Sequence, residues 1–158
     1  MGSKLIISPV EKLQKNVNDI VATFKSTPCI YVSLNKTHLS IEEILKKEGI
    51  KIEKIFFIDC VTQEKKAPDV LYILPTELDL LKMAIGTFIK TISGKKFLLL
   101  DALSTLLIYN SEEKVARFVK EITEFAATKD VEVIAFSPKT QGEELLNKIF
   151  NFFDNVKK

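Results

Sequence analysis

Apolar and polar residues alternate along the chain in two periods, which predict strands and helices in turn. Short runs that are apolar throughout are typical of strands buried on both faces, and stripes spaced by three or four residues are typical of helices. The runs predict strands at 5–7, 29–34, 55–59, 70–74, 97–101 and 131–136, with a polar loop over 62–69. The stripes predict helices over 10–24, 40–48 and 141–157, and two more that Thr76 and Ser111 cap.

Several helix ends carry recognisable signals. Ser8, with Pro9 at the first helical position and Glu11 after it, predicts a capping box at the start of the first helix. Ser40 predicts a second cap, and Gly49 ends that helix. The alternation of buried strands and helices predicts an α/β fold: a three-layer α/β/α sandwich around a mostly parallel, doubly wound sheet. We expect residues 1–158 to form a single domain.

Composition narrows the class of protein without naming a function. The 158 residues are 46% hydrophobic and 28% charged, with a net charge of +2, which is typical of a globular chain. The mixed charges do not form the basic pattern that is typical of proteins that bind nucleic acid or an anionic membrane surface. No apolar run reaches the ~18 residues of a membrane span, and the N-terminus lacks a secretory signal pattern. Cys29 and Cys60 lie in or beside apolar runs, so we expect reduced, buried thiols and a cytoplasmic protein.

Polar residues follow the predicted strands, where parallel sheets bind their ligands. Candidates for such a site are Ser8, Asn35, Asp59, Asp101 and Lys139. Asp59 and Asp101 each end an apolar strand, and a carboxylate there can hold magnesium or orient a nucleotide. The alternative is that each aspartate caps the turn that follows it.

Other catalytic groups have no motif around them. His38 is the sole histidine and stands in a polar stretch, so we interpret it as a loop residue. No serine or cysteine has the context of a nucleophile, and no metal-binding spacing occurs. The residues therefore predict no catalytic site, no metal and no cofactor.

One segment resembles a known family. The sequence KKFLLLDALSTLLIYNSEEKVARFVKEI resembles the Walker B strand and following helix of the KaiC-like branch of RecA-superfamily ATPases, of the archaeal type. Asp101 would be the acidic end of that strand, followed by a small residue, Leu103 and Ser104. The segment 29–60 also resembles the family, which extends the match over nearly the whole chain. The resemblance implies a RecA-like P-loop NTPase fold.

The chain departs from that family where phosphate binds. A P-loop reads GxxxxGK[ST], and its glycines and lysine surround the phosphates. In that register Ser8 and Leu13 replace the glycines, Gln14 replaces the lysine, and Lys15 replaces the hydroxyl residue. Glu11 adds a negative charge beside the same position.

A second departure follows the second strand, where the family carries an acidic pair and this chain reads Asn35-Lys36. The resemblance therefore implies the fold of an ATPase without its catalytic residues.

The predicted last helix is apolar over more than half of its circumference. Leu146, Phe150 and Phe153 could form a surface for a protein partner or for self-association. They could equally pack this helix against the sheet.

Three hypotheses follow. The preferred one is a non-catalytic KaiC-like domain that acts as a protein-binding or regulatory module, with an active ATPase of the same fold as a candidate partner. The alternative is a sensor that binds a nucleotide or other small molecule at the strand ends without hydrolysis. An enzyme with unrelated chemistry in that crevice is the third. No nucleic-acid or membrane partner is expected.

Overall fold

Parallel strands alternate with helices along the chain in a computed structural model, which describes residues 2–64, 66–139 and 143–158. The strands are β1 (Ser3–Ser8), β2 (Cys29–Ser33), β3 (Ile55–Asp59), β4 (Leu71–Tyr72), β5 (Phe97–Asp101), β6 (Glu132–Pro138) and β7 (Asn155–Lys157). The helices are α1 (Val10–Thr23), α2 (His38–Lys47), α3 (Leu78–Thr91), α4 (Glu112–Thr128) and α5 (Glu143–Ile149). Short 3₁₀ helices occupy Leu103–Ile108 and Phe150–Phe152.

The strands form one seven-stranded sheet in the order β4-β3-β2-β5-β6-β1-β7. Every pairing in it is parallel. Val17 of α1 and Ile41 of α2 belong to one apolar cluster, whereas Ile85 of α3 and Val119 of α4 belong to the cluster on the other face. The predicted three-layer α/β/α sandwich around a parallel, doubly wound sheet is therefore confirmed.

The direction of winding reverses between β2 and β5. The chain leaves β2 toward α2 on one face and leaves its neighbour β5 toward α4 on the other. Such a reversal opens a crevice outside the carboxyl ends of the two strands, where open α/β sheets bind ligands. A second reversal separates β1, which leads to α1, from its neighbour β6, which leads to α5.

The helix starts differ from the predicted caps at three places. Ser8 stays in β1 opposite Pro138, and no described side chain caps α1, so the predicted Ser8–Glu11 capping box is wrong. The α2 helix begins at His38, because Thr37 is extended and its hydroxyl accepts a hydrogen bond from the Ser40 N–H at 3.2 Å. Glu77, rather than Thr76, precedes α3 and makes no side-chain cap. The cap at Ser111 and the left-handed Gly49 (φ 71°) agree with the sequence.

The predicted helix over 141–157 is wrong beyond Ile149, and residues 141 and 142 lie outside the described residues. Asn155–Lys157 instead forms β7, which pairs with β1. An uncovered β1 edge would present unpaired backbone groups, and β7 supplies partners for them. The Asp154 carboxylate fixes this docking by accepting a hydrogen bond from the Ser3 N–H at 3.0 Å.

The candidate interface residues of this segment pack inward. Leu146 is 4% exposed and Phe153 is 7% exposed, and both belong to the core on the α3–α5 face. Phe150 is half-buried against the same core, with the Lys158 ammonium 5.2 Å from the centre of its ring. This burial favours packing over a partner surface for Leu146 and Phe153. Within the described ranges, the helices lack the length and apolar character needed to span a bilayer.

Candidate functional site

Asp101 ends β5 at the β2–β5 reversal, where this topology predicts a ligand crevice, and is bound by a tyrosine from the next strand. Tyr31 pairs with Leu99, and Asp101 lies two residues further along, so its side chain is on the same face. The Tyr31 hydroxyl donates to Asp101 Oδ2 at 2.7 Å. Asp101 is 4% exposed and Tyr31 is fully buried.

Burial sets the electrostatics of this pair. It raises the pKa of Asp101 above the ordinary 3.8, against the opposing effects of the Tyr31 hydrogen bond and the positive charge of Lys36. Burial and the charge of Asp101 also raise the pKa of Tyr31. The hydroxyl therefore keeps its proton and acts as a permanent donor to the carboxylate.

Lys36, in the loop after β2, joins the crevice to the start of α1. Its ammonium donates to Gln14 Oε1 at 3.0 Å, and the Gln14 amide donates to Asn18 Oδ1 at 2.9 Å. Lys36 is half-buried, and its charge lowers the pKa of Asp101. Gln14 and Lys36, two of the residues that depart from the ATPase pattern, are thus bonded to each other.

Asp59 ends β3 and is wholly occupied by structural hydrogen bonds. One oxygen accepts from the N–H groups of Val61 and Thr62 at 2.7 and 2.8 Å. The other accepts from the His38 N–H at 2.9 Å and from the Thr62 hydroxyl at 2.6 Å. Burial alone would raise the pKa of Asp59, but these four donors lower it. Asp59 therefore caps the turn after its strand and supports the start of α2, which is the capping interpretation.

His38 is buried rather than part of a polar loop, so that interpretation is wrong. Its Nδ1 lies 2.7 Å from Glu42 Oε2, and its Nε2 lies 2.8 Å from the Tyr72 hydroxyl oxygen. The Tyr72 oxygen also accepts a hydrogen bond from the Ala67 N–H at 2.8 Å. The sole histidine thus ties the loop between β3 and β4 to α2.

Ser8 and Lys139 meet at the second reversal, where β1 pairs with β6, and β6 separates Ser8 from the Asp101 strand. The Lys139 N–H donates to the Ser8 carbonyl at 2.9 Å, and the Ser8 hydroxyl accepts from the Asn16 amide at 2.7 Å. A cavity of about 330 Å³ opens beside them along α1 and is lined also by Lys12, Lys157 and Lys158. Its walls do not include Asp101 or Lys36.

The thiols are inert. Cys29 and Cys60 are free and buried, as expected from the sequence. Burial raises the pKa of both, that of Cys60 to about 12, so neither is a thiolate near neutral pH. Among the described residues, no group of three His, Cys, Asp or Glu side chains could hold a metal ion.

The candidates therefore separate into three places. Asp101 stands at the β2–β5 reversal, to which Lys36 contributes charge; Asn35 is exposed in the loop after β2. Asp59 is used by the turn beside it, and Ser8 and Lys139 line the separate cavity. No single sequence motif identified Tyr31 as a partner of Asp101. Aligning the two predicted strands 29–34 and 97–101 by their ends would have placed Tyr31 on the neighbouring strand, close to Asp101.

The donor set at the crevice does not fit a magnesium nucleotide. Leu13, which the resemblance places at a P-loop glycine, points into the core, and Gln14 carries no charge. Asp59 has four hydrogen-bond donors on its two oxygens. Asp101 has one oxygen bonded to Tyr31 and is nearly excluded from solvent.

Solved structures with a similar fold are known. The chain superposes on the KaiC-like protein PH0186 of the hyperthermophilic archaeon Pyrococcus horikoshii with a TM-score of 0.72 and 13% identity, covering 98% of this chain and 69% of that one. Protein PH0321 of Pyrococcus horikoshii, solved in complex with an unknown peptide, gives a TM-score of 0.72 and 12% identity, covering 98% and 76%. No protein-family description matches the chain. No curated protein matches it either. The chain thus has a KaiC-like, RecA-type fold.

Proposed function

We propose that this chain is a non-catalytic domain of the KaiC-like, RecA-type fold that acts as a protein-binding or regulatory module. One observation carries the proposal: the groups at the crevice bind one another. Tyr31 is bonded to Asp101, and Lys36 is bonded to Gln14. By the resemblance, Gln14 stands where a P-loop lysine would contact phosphate, and Asp101 stands where an ATPase would present a free carboxylate to a metal.

Electrostatics supports the same conclusion. A magnesium site needs ionised, accessible oxygens, and the burial that raises the pKa of Asp101 works against ionisation. A phosphate site needs free cations, and the Lys36 ammonium already has Gln14 as a partner. Ligand binding at this crevice would first have to break both pairs.

The partner we propose is another protein, with an active ATPase of the same fold or a second copy as candidates. PH0321, whose fold is similar, was solved with an unknown peptide bound, which is consistent with a peptide-binding role for this architecture.

The test is ATP hydrolysis by the purified chain with and without magnesium. We expect phosphate release equal to that of a protein-free blank, and equal again for Asp101→Ala. Magnesium-dependent hydrolysis that disappears in Asp101→Ala would contradict the proposal. Ser104→Ala, next to the crevice, serves as a control that leaves Asp101 in place.

The cavity beside Ser8 and Lys139 favours a second candidate function, a sensor of an anionic small molecule. It has the volume of a small ligand pocket, with lysines around an apolar wall that includes Ile6 and Ile20. A thermal-shift panel of nucleotides and phosphorylated metabolites separates the two candidates. A saturable rise in melting temperature that Lys139→Ala weakens supports the sensor, because a ligand that binds only the folded state stabilises it. A flat panel supports the module.

A further inference from the structure

A buried hydrogen-bonded network, formed by Glu42, His38, Tyr72 and Ala67, connects α2 to the edge strand β4. His38 is 2% exposed, and its Nδ1 lies 2.7 Å from Glu42 Oε2. Its Nε2 lies 2.8 Å from the Tyr72 hydroxyl oxygen, which also accepts a hydrogen bond from the Ala67 N–H at 2.8 Å. Four groups are thus joined in one line that includes the single histidine of the chain.

The direction of each hydrogen bond follows from the carboxylate. An ionised glutamate has acceptors and no donor, so the proton of a neutral His38 ring stays on Nδ1. Nε2 is then an acceptor, and the Tyr72 hydroxyl donates to it. With neutral His38, each donor in the network has one acceptor, and the Tyr72 oxygen accepts from the Ala67 N–H.

Protonation of His38 removes the acceptor at Nε2. Both ring nitrogens of an imidazolium are donors, so the new N–H points at the Tyr72 oxygen. That oxygen then faces three hydrogens, which are the new one, its own and that of the Ala67 N–H. Among the described residues, the Tyr72 hydroxyl has no second acceptor to which its hydrogen could turn. At least one of the two hydrogen bonds at Tyr72 must therefore weaken.

The contact between His38 and Glu42 responds in the opposite way. With a charged ring it becomes an ion pair between positions i and i+4 of α2. Protonation therefore strengthens a contact inside α2 and weakens the contact that leaves α2 for β4.

Charged and titratable groups from each neighbouring element face this histidine. Asp59 of β3 accepts from the His38 backbone N–H at 2.9 Å, and Glu42 lies on α2 itself. The Lys66 ammonium lies 5.6 Å from the centre of the Tyr72 ring. The two carboxylates attract a positive ring, and the lysine repels it. Of these residue types, histidine is the one that ordinarily changes charge between about pH 5 and pH 8.

The short length of β4 makes this contact important for residues 66–72. The strand consists of Leu71 and Tyr72 at the edge of the sheet, with β3 as its neighbour. The next residue, Ile73, is buried, and its N–H donates to the Asp59 carbonyl at 3.2 Å. A weaker bond at Tyr72 therefore loosens residues 66–72, while Ile73 keeps the chain attached to the sheet.

We propose that His38 is a pH-sensitive switch. Neutral His38 holds residues 66–72 against α2 through Tyr72, whereas protonated His38 pairs with Glu42 and loosens this segment. The inference does not depend on the proposed function, because it concerns neither a ligand nor a partner.

The test follows the His38 ring and the Ala67 amide of the full ¹⁵N-labelled chain from about pH 8 to about pH 5. A single histidine gives one set of ring signals, and long-range ¹H–¹⁵N spectra report which nitrogen carries the proton. We expect Nδ1 alone to be protonated at the upper end of this range and both nitrogens at the lower end. The protection of the Ala67 amide against solvent exchange, relative to an unstructured peptide at the same pH, should fall by about tenfold with the same midpoint. The Thr62 amide, which donates to Asp59 at 2.8 Å, is the internal control and should keep its protection.

Variants separate the switch from a general effect of acid. Glu42→Gln should move both midpoints to lower pH by about one pH unit, because the positive ring loses its charged partner. Glu43→Gln, exposed on the same helix, is the matched control and should leave them in place. Tyr72→Phe should leave the Ala67 amide unprotected at every pH, and His38→Gln should make its protection independent of pH. Glu42 is partly exposed, so its variant keeps the test available even when His38→Gln fails to fold.

Several outcomes overturn the inference. One is a proton on Nε2 instead of Nδ1 at about pH 8, because the network would then run in the other direction. Another is titration of the ring while the Ala67 amide keeps its protection, or a ring that stays neutral down to about pH 5. Midpoints that Glu42→Gln leaves unchanged, or that Glu43→Gln moves equally, also overturn it. Loosening in acid that persists in His38→Gln assigns the effect to another group and overturns it too.

Discussion

The buried pair of Tyr31 and Asp101 allows a quantitative test of what holds the crevice together. Tyr31→Phe removes one hydroxyl and keeps the ring, while Asp101 stays 4% exposed. Hydrogen bonds to charged groups contribute about 1.5–3 kcal/mol and those between neutral groups about 0.5–1.5 kcal/mol. We therefore expect Tyr31→Phe to lower the free energy of unfolding by about 2 kcal/mol at pH values where Asp101 is ionised, because a buried carboxylate then loses its donor.

The loss of unfolding free energy caused by Tyr31→Phe should increase with pH. Because burial raises the folded-state pKa of Asp101 above 3.8, its contribution favours folding below that value and is lost as pH rises through the folded pKa. Removing the hydroxyl raises that pKa further, so the difference between wild type and variant grows with pH. In acid, where Asp101 is protonated in both proteins, the difference should fall to about 1 kcal/mol, the contribution of a neutral hydrogen bond.

Urea unfolding followed by circular dichroism, from about pH 3 to about pH 8, measures both quantities. Tyr109→Phe is the matched control, since Tyr109 is 52% exposed. Its penalty should stay below about 0.5 kcal/mol, as for other surface changes. In an Asp101→Asn background, Tyr31→Phe should cost only the neutral amount at every pH. A neutral-pH penalty no larger than that of Tyr109→Phe, or one that shrinks as pH rises, would refute the reasoning.

Three further changes test other contacts. Asp59→Asn should lower the free energy of unfolding by about 1–3 kcal/mol at neutral pH, because an NH2 group replaces one acceptor oxygen and leaves either the His38 N–H or the N–H groups of Val61 and Thr62 without a partner. Since the pKa of Asp59 is lowered, its stabilisation is present above 3.8 and lost as pH falls, so the variant's urea midpoint should change less on acidification. Lys36→Met should raise the pKa of Asp101 in a ¹³C-carboxyl titration, and an unchanged pKa contradicts the coupling. Val156→Asp should detach β7 and cost about 1–3 kcal/mol, seen as faster C-terminal proteolysis than in Lys157→Asp; equal rates contradict that role.

The sheet was predictable because its strands carry their own signal. Runs such as 29–34 and 97–101 are apolar on both faces, and only a strand covered by helices on both sides uses such a run. The marginal fourth strand shows the limit. The sequence predicts residues 70–74, whereas β4 retains only Leu71–Tyr72 at the edge of the sheet. An edge strand has one neighbour, so its length depends on that neighbour rather than on its own residues.

The prediction of a helix over 141–157 was wrong for a similar reason. The apolar residues of this segment suit a helix, and the sequence alone gives no reason to end one at Ile149. The competing force is the open edge of β1, more than a hundred residues earlier in the chain, with which Asn155–Lys157 pairs. The predicted cap at Ser8 was wrong for the same reason, because pairing with Pro138 holds Ser8 in the strand. A local cap cannot form from a residue that the sheet has already fixed.

At the strand ends, the residue types were predictable but their use was not. Asp59 and Asp101 occupy the same kind of position, and both follow apolar runs. What separates them is the backbone that comes next: the turn after Asp59 aims the N–H groups of Val61 and Thr62 at its carboxylate. That orientation depends on loop geometry, which no periodicity encodes.

The presence of Asp101 at the end of β5 is therefore weak support for metal chemistry. A buried carboxylate without partners is costly, so an aspartate at this position needs donors from somewhere. In an ATPase a metal ion and its ligands could meet that need; here Tyr31 donates directly and Lys36 supplies positive charge. If the pair exists for stability alone, Asp101→Asn should fold with nearly unchanged stability, since the amide oxygen still accepts from Tyr31. A loss above about 3 kcal/mol would mean that the ionised form does more than satisfy the hydroxyl.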